Sequence, residues 1–401
     1  MDGKIKILFL IHTLQIGGAE RVLVDTVNNL PKDKYDITVA TVINLGSLKS
    51  QLAPHIRYKT IFGLKWLRKF SKNNQKYEQS PNVSTRKNPV KELFIKAYIA
   101  FWNHADLEKL YEKHLKGNYD VEVAFLEGIP AKIISKSTNN ASKKIAWVHI
   151  DVINEHKSDR FFKNLQEQRE TYDKFDDIVC VSEMVKKQFI KKIGIAENKA
   201  RVIHNPIDEN SIIKKAEAKI SEPKNKFTFC TVGRLAHQKG YDRLLNIAKK
   251  LQNEGYDFKI WIIGVGMDEG KLKKIAEREH ISSVEFLGYK ENPYPYIKSA
   301  DAFVCSSRAE GLSTVVSEAV VLGRPVITTE CSGMREILGE KSEYGIICEN
   351  NEDALYQEMK RALDNPDILE SLSHLVKGRR QFFNLDSTVS RIDAILGEAK
   401  C

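Results

Sequence analysis

Cysteine is scarce and poorly placed for pairing or for metal binding. The 401 residues contain six, none in a C-x-x-C spacing, and Cys180, Cys230 and Cys305 sit inside apolar, strand-like runs. This excludes a disulfide framework and a zinc knuckle, and it reads as reduced core thiols of a cytoplasmic protein. Long apolar runs are missing too: none approaches the roughly 20 residues needed to span a bilayer. The opening "MDGKIKILFLIHTL" has a short apolar core, Ile7 to Ile11, with no small-residue cleavage site after it, so a buried strand is expected there rather than a signal peptide. No D-x-D and no His/Cys cluster offers a metal site, and the glycines after the first strand do not form a G-x-G-x-x-G dinucleotide fingerprint.

Acidic residues are nearly absent from one region. Between residues 57 and 96, eleven Lys and Arg face only Glu78 and Glu92, in a chain whose formal net charge is +10, so the remainder is close to neutral. A local basic patch points to one anionic surface as partner, and no nucleic-acid recognition motif accompanies it. Within it, "GLKWLRKFSK" interleaves Leu64, Trp66, Leu67 and Phe70 with Lys65, Arg68, Lys69 and Lys72. Such a stretch can lie in a membrane interface, apolar side down and cations among anionic headgroups. A solvated face packed on its own domain is the alternative.

What the chain does contain is a rhythm. Apolar runs of strand length ("IKILFLI", "YDITVATVI", "VEVAFL", "KKIAWVHI", "DDIVCVS", "ARVIHNP") alternate with helical or turn stretches. Continuous apolar strands separated by helices predict a parallel sheet covered on both faces. Near residue 209 the pattern pauses in the polar "DENSIIKKAEAKISEPKNK", then restarts with "FTFCTVG", "FKIWIIG", "VEFLG", "AFVCS", "PVITT" and "YGIIC". Two successive doubly wound domains are expected: residues 1–208, with an insertion-like region at 62–118; a linker at 209–226; and residues 227–383, after which a terminal helix at about 384–401 joins the first domain. Ligands of such sheets bind beyond the carboxyl ends of the strands, so the cleft between the facing domains is the expected site.

Candidate site residues lie at these strand ends. Gly17 and Gly18 follow the first strand, where a backbone can approach a ligand and a helix N-terminus favours anions; a plain β–α turn is the other reading. In "VGRLAHQKGYDRLL", Arg234 and Lys239 lie beyond a strand and before a helix, a placement that suits a diphosphate. "ADAFVCSSRAEGLS" runs from a strand into a helix expected to start near Ser313 or Thr314, with amides around Gly311, Leu312 and Ser313 able to hold phosphate. Glu310 precedes that helix and Glu318 lies about a turn inside it. At about 1.5 Å rise per residue the two carboxylates stand on the order of 10 Å apart, too far to act as one acid–base pair but suited to the two ends of a nucleotide sugar.

Taken together and in order, "GGAE", "VSE", "GRLAHQKG" and "EGLSTVVSEA" resemble the retaining GT-B glycosyltransferases, the group often called family 4, over essentially the whole chain. The resemblance implies two Rossmann-like domains, a nucleoside-diphosphate sugar held mainly by the second, with a UDP-sugar expected, and an acceptor held mainly by the first. By position it gives Glu318 to the ribose, Arg234 and Lys239 to the diphosphate, Glu310 to the transferred sugar, and Tyr289 to the base. It sets His149 near the sugar. Asn205 matches a family asparagine, although Pro206 and Ile207 depart from its usual neighbours. No metal or other cofactor is expected, because the cations take the metal's part. The expected acceptor is a lipid-linked precursor of a bacterial surface polysaccharide, used at the inner face of the cell membrane. Transfer to a protein or soluble glycan, a sugar-nucleotide epimerase or hydrolase on the same fold, and a non-catalytic partner subunit are the competing readings.

Overall fold

A computed structural model describes residues 3–63 and 89–398. The Trp66 and Lys/Arg stretch singled out above lies outside the described residues. The chain divides into two compact units: one runs to Pro206 and takes in Asp386 onward, and the other is Ile207–Leu385.

Among the described residues the first unit holds a parallel sheet of seven strands: β1 (Ile5–Ile11), β2 (Tyr35–Ile43), β3 (Arg57–Phe62), β4 (Val121–Ala124), β5 (Lys143–Val148), β6 (Asp177–Cys180) and β7 (Ala200–Val202). Their order is β3-β2-β1-β4-β5-β6-β7, with Ile7 opposite Ile37 on one side and Val121 on the other. Ile7 to Ile11 are fully buried because helices cover both faces of the sheet, which is why β1 reads as a continuous apolar run and not as an alternating one.

The second unit repeats the architecture with β8 (Phe227–Val232), β9 (Phe258–Ile263), β10 (Val284–Gly288), β11 (Ala302–Cys305), β12 (Val326–Thr329) and β13 (Ile346–Cys348) in the order β10-β9-β8-β11-β12-β13. The helix Tyr241–Asn253 seats Leu244, Leu245, Ile247, Ala248 and Leu251 in this unit's core. In both sheets the winding reverses once, between β1 and β4 and between β8 and β11. Chain leaving the carboxyl ends of these two neighbours goes opposite ways and opens a crevice for a ligand.

Two expectations need correction. Of the region 62–118, the described part from residue 89 is not a simple insertion: the helices Pro89–His104 and Leu107–His114 lie on the crossover that carries the chain from the edge strand β3 to β4, and the second of them packs on β3 and on the helix Ile129–Ile134. Nor is 209–226 a bare linker. Glu209–Lys215 is a helix capped by Asp208, which accepts from the Ser211 amide at 2.8 Å, and it packs on the helices Tyr294–Ser299 and Thr314–Val321. Farther on, Glu222 accepts from Lys290 (2.8 Å) and Tyr296 (2.7 Å). The polar composition suggested a linker, but these side chains are spent on contacts within the second unit. The terminal helix Leu385–Gly397 groups with the first unit: Asp393 accepts from Tyr35 at 2.7 Å, and Lys143 donates to the Ile395 carbonyl at 2.9 Å.

Candidate functional site

The crevice between β8 and β11 gathers most of the expected residues. The loop after β8 carries Arg234, exposed, and Lys239, partly buried. It turns into the helix Tyr241–Asn253 at Gly240, whose φ of +67° is left-handed and whose added Cβ would lie 2.0 Å from the Ser306 carbonyl oxygen. Only glycine allows that approach. It brings the loop after β11 onto Lys239: Ser306 Oγ donates to the Lys239 carbonyl at 2.8 Å, and Gln238 donates to the Ala309 carbonyl at 2.9 Å. Arg308 clamps the same junction with two bonds of 2.7 Å to the two oxygens of Asp242, in the first turn of that helix.

Lys239 and Glu310 meet here directly, Nζ to Oε1 at 2.6 Å, and Ser307 Oγ donates to the same oxygen at 2.5 Å. Burial alone would lower the Lys239 ammonium; the charge of Glu310 outweighs it and leaves the ammonium above its ordinary value. Sequence reasoning gave Lys239 to phosphate and Glu310 to sugar as separate tasks. The geometry makes them one ion pair, so anything that draws Lys239 away also changes the surroundings of Glu310.

Behind Glu310, Gly311, Leu312 and Ser313 are buried and lead into the helix Thr314–Val321. Ser313 is the N-cap, yet its side chain caps no amide, and its Oγ is buried with no hydrogen-bond partner. An uncapped first turn beside a hydroxyl in need of a partner is an anion-binding arrangement. Glu318, a turn inside the helix and 7% exposed, accepts from the Tyr294 hydroxyl at 3.2 Å. Tyr289 is farther out, 43% exposed just beyond the edge strand β10.

Gly17, Gly18 and His149 belong to the first unit. Gly17 is the N-cap of the helix Gly18–Asn29 and is extended, with a φ of −164°, so its conformation does not demand glycine. His149 follows β5. Its ring lies 4.9 Å from that of Phe125, and Nε2 is buried without a partner. Its contact with the ring of Phe125 sets the imidazole on one side, and Nε2 is left as the polar atom without a partner. Burial pulls the imidazole down to about 3, which keeps it neutral. Asn205 is buried beyond β7.

Sequence reasoning missed three contributors. Ser307 and Asp242 sit within quoted stretches, but nothing in their spacing revealed their partners. The pair Gly264 and Gly266 after β9 was legible and went unread: Gly264 has a φ of +137°, and a Cβ there would meet the Gly233 carbonyl oxygen at 2.0 Å. That contact braces the backbone on which Arg234 stands; Leu235 N bonds Val265 O at 3.0 Å, and Asp268 N returns to Leu235 O at 3.0 Å.

Comparison with known proteins matches residues 16–211 to the model described as Glycosyltransferase Family 4 and residues 212–381 to the one described as Glycosyl transferases group 1. An uncharacterized glycosyltransferase of Methanocaldococcus jannaschii is 31% identical over 231 residues, 55% of this chain and 56% of the relative. The N-acetylgalactosamine-N,N'-diacetylbacillosaminyl-diphospho-undecaprenol 4-alpha-N-acetylgalactosaminyltransferase of Campylobacter jejuni is 29% identical over 53% of this chain and 58% of its own length. These alignments thus span less than two thirds of the curated relatives. Among solved structures, Anabaena HepE in complex with UDP and glucose superimposes with a TM-score of 0.71 at 18% identity, over 98% of this chain and 100% of that one.

Proposed function

We propose that this chain, which belongs to the group 1 glycosyltransferases and has their GT-B fold, moves a sugar from a nucleoside-diphosphate sugar to a glycan acceptor with retention of anomeric configuration. The observation that carries this reading is the cluster at the carboxyl ends of β8 and β11: the Lys239–Glu310 pair set against the uncapped N-terminus at Ser313. A diphosphate there meets Arg234, Lys239 and the first-turn amides. These stabilise the charge that develops on it as the glycosidic bond breaks. Glu310 accepts from hydroxyls of the transferred sugar and Glu318 from those of the ribose. The acceptor hydroxyl attacks the face the diphosphate leaves, and the departing phosphate takes its proton. His149, neutral and with Nε2 unpartnered, holds a substrate hydroxyl. A screen of nucleoside-diphosphate sugars for thermal stabilisation, followed by mass analysis of products from a labelled donor, tests the reading. We expect stabilisation by a UDP-sugar and an acceptor glycoside among the products. Free sugar or an epimerised donor as the only product would overturn it.

Because the cations and amides carry the leaving-group charge, EDTA should leave turnover unchanged. A loss of rate restored by Mg²⁺ or Mn²⁺ would refute that account.

The acceptor we infer is a lipid-linked precursor of a bacterial surface polysaccharide, reached at the cytoplasmic face of the membrane. The Campylobacter relative is named for a diphospho-undecaprenol substrate. Among the described residues no helix is long and apolar enough to cross a membrane. The helix Pro89–His104 nevertheless exposes Leu93 and Ile95 within the basic region 57–96, and Phe101 just past its end. Each cation near an anionic surface contributes about 1 kcal/mol. The protein should therefore sediment with anionic vesicles and release at high salt, and a variant with Lys65, Arg68, Lys69 and Lys72 all changed to Ser should stay in solution. Equal sedimentation of the two proteins would refute a membrane role for this segment.

A further inference from the structure

The loops that follow β4 and β5 in the first unit hold a carboxyl group that the proposed reaction does not use. Glu127 stands on the loop between β4 and the helix Ile129–Ile134. Its Oε1 accepts from the amides of both residues that follow β5, His149 and Ile150, the latter at 3.1 Å. One oxygen thus anchors the turn that carries the His149 ring, while the other side of that ring is fixed by Phe125.

We propose that Glu127 is a positioning residue: it holds the His149–Ile150 turn so that the unpartnered Nε2 of His149 is aimed at substrate, and it loosens this hold when it takes up a proton. The proposal rests on the glycosyltransferase reading for what Nε2 meets, but not for the hold itself.

Among the described residues, the groups that interact directly with Glu127 are neutral, and the charged ones, Asp159 beside Tyr172 and Lys186 and Glu183 beside Cys180, act on those neighbours. Tyr172, on the helix Leu165–Asp173, and Cys180, at the end of β6, are kept protonated chiefly by burial, and burial keeps the His149 ring unprotonated. Burial raises the Glu127 carboxyl to about 7, against the pull of its own amide and those of His149 and Ile150. His149 gains its proton only near 3. A titration of this corner near neutral pH therefore belongs to the carboxyl, although a histidine is the residue usually assigned such a role. A proton on Glu127 removes the negative charge from the acceptor of both amides, and charge-assisted bonds are the stronger kind.

The test follows the amide proton resonances of His149 and Ile150 from pH 5 to 9 in the full chain, with Glu127→Gln as control. Gln keeps an acceptor oxygen but cannot ionise. Both amides should titrate with a midpoint near 7 in the wild type and stay flat in E127Q. In transfer assays at saturating donor and acceptor, the wild type should lose kcat on the acid side of that midpoint, E127Q should lack that limb, and E127A should lose on the order of tenfold at every pH.

Folding supplies an independent check. A carboxyl raised above its unfolded value favours the folded state when protonated, and that contribution is lost as pH rises through the folded value. E127Q should therefore melt above the wild type at pH 8, with the gap closing toward pH 5. Flat wild-type amides, or the same titration in E127Q, would overturn the positioning role. If no donor and acceptor react at all, the functional reading falls, while the amide titration still decides the hold on the turn.

Discussion

Glu310→Gln should abolish transfer while the protein still binds nucleoside diphosphate. Glu310 is assigned to hydroxyls of the transferred sugar, whose demand for a negative acceptor grows as positive charge develops at the anomeric carbon. Gln keeps the shape and loses that charge. Removing one well-placed stabilising group costs on the order of 10²–10³-fold in kcat. The diphosphate is assigned elsewhere, to Arg234, Lys239 and the first-turn amides of the helix Thr314–Val321. The ion pair sharpens the expectation: with Glu310 neutral, the Lys239 ammonium loses its partner at 2.6 Å and becomes more available to phosphate. UDP affinity measured by calorimetry should be retained or slightly improved. A loss of UDP affinity matching the loss of kcat would place Glu310 on the nucleotide and overturn the assignment.

The frame was legible in the sequence because burial on both faces leaves a plain record. β1 stands where its apolar run put it, and the helix Thr314–Val321 begins where the stretch after Glu310 put it. The strand ends were legible for the same reason, and with them Arg234, Lys239 and the Glu310–Glu318 stretch. What did not show were contacts made across long separations. Lys239 and Glu310 are 71 residues apart, and the bond joining them depends on Gly240 letting two loops touch. Glu127 is a single carboxylate in a loop, and its place is set by amides 22 and 23 residues away, which have no residue-type signature. Composition misled at 209–226, where polar side chains that resemble a linker make ion pairs and a helix cap inside the second unit.

Lys239→Ala should do what Glu310→Gln does not: weaken diphosphate binding, slow turnover and destabilise the fold. The phosphate contact is charge-assisted and worth roughly 1.5–3 kcal/mol, which is about 10- to 150-fold in affinity. The stability loss has a separate origin, because the variant leaves Glu310, whose side chain is 9% exposed, with Ser307 but no cation. Orphaning one member of a fully buried pair costs roughly 3–5 kcal/mol. The Lys239 side chain is 22% exposed, so water can enter in its place, and about 1–3 kcal/mol is the expectation here. The double variant K239A/E310Q separates the two origins. It has no unpaired charge at this point, so it should be more stable than K239A alone, with a coupling between the two changes of about 0.5–3 kcal/mol. Its UDP affinity should stay as low as that of K239A, since removing Glu310 cannot restore the lost cation. Strictly additive unfolding energies would show that the pair contributes nothing to the folded state. Recovery of UDP affinity in the double variant would show that Lys239 acts on the nucleotide only by neutralising Glu310.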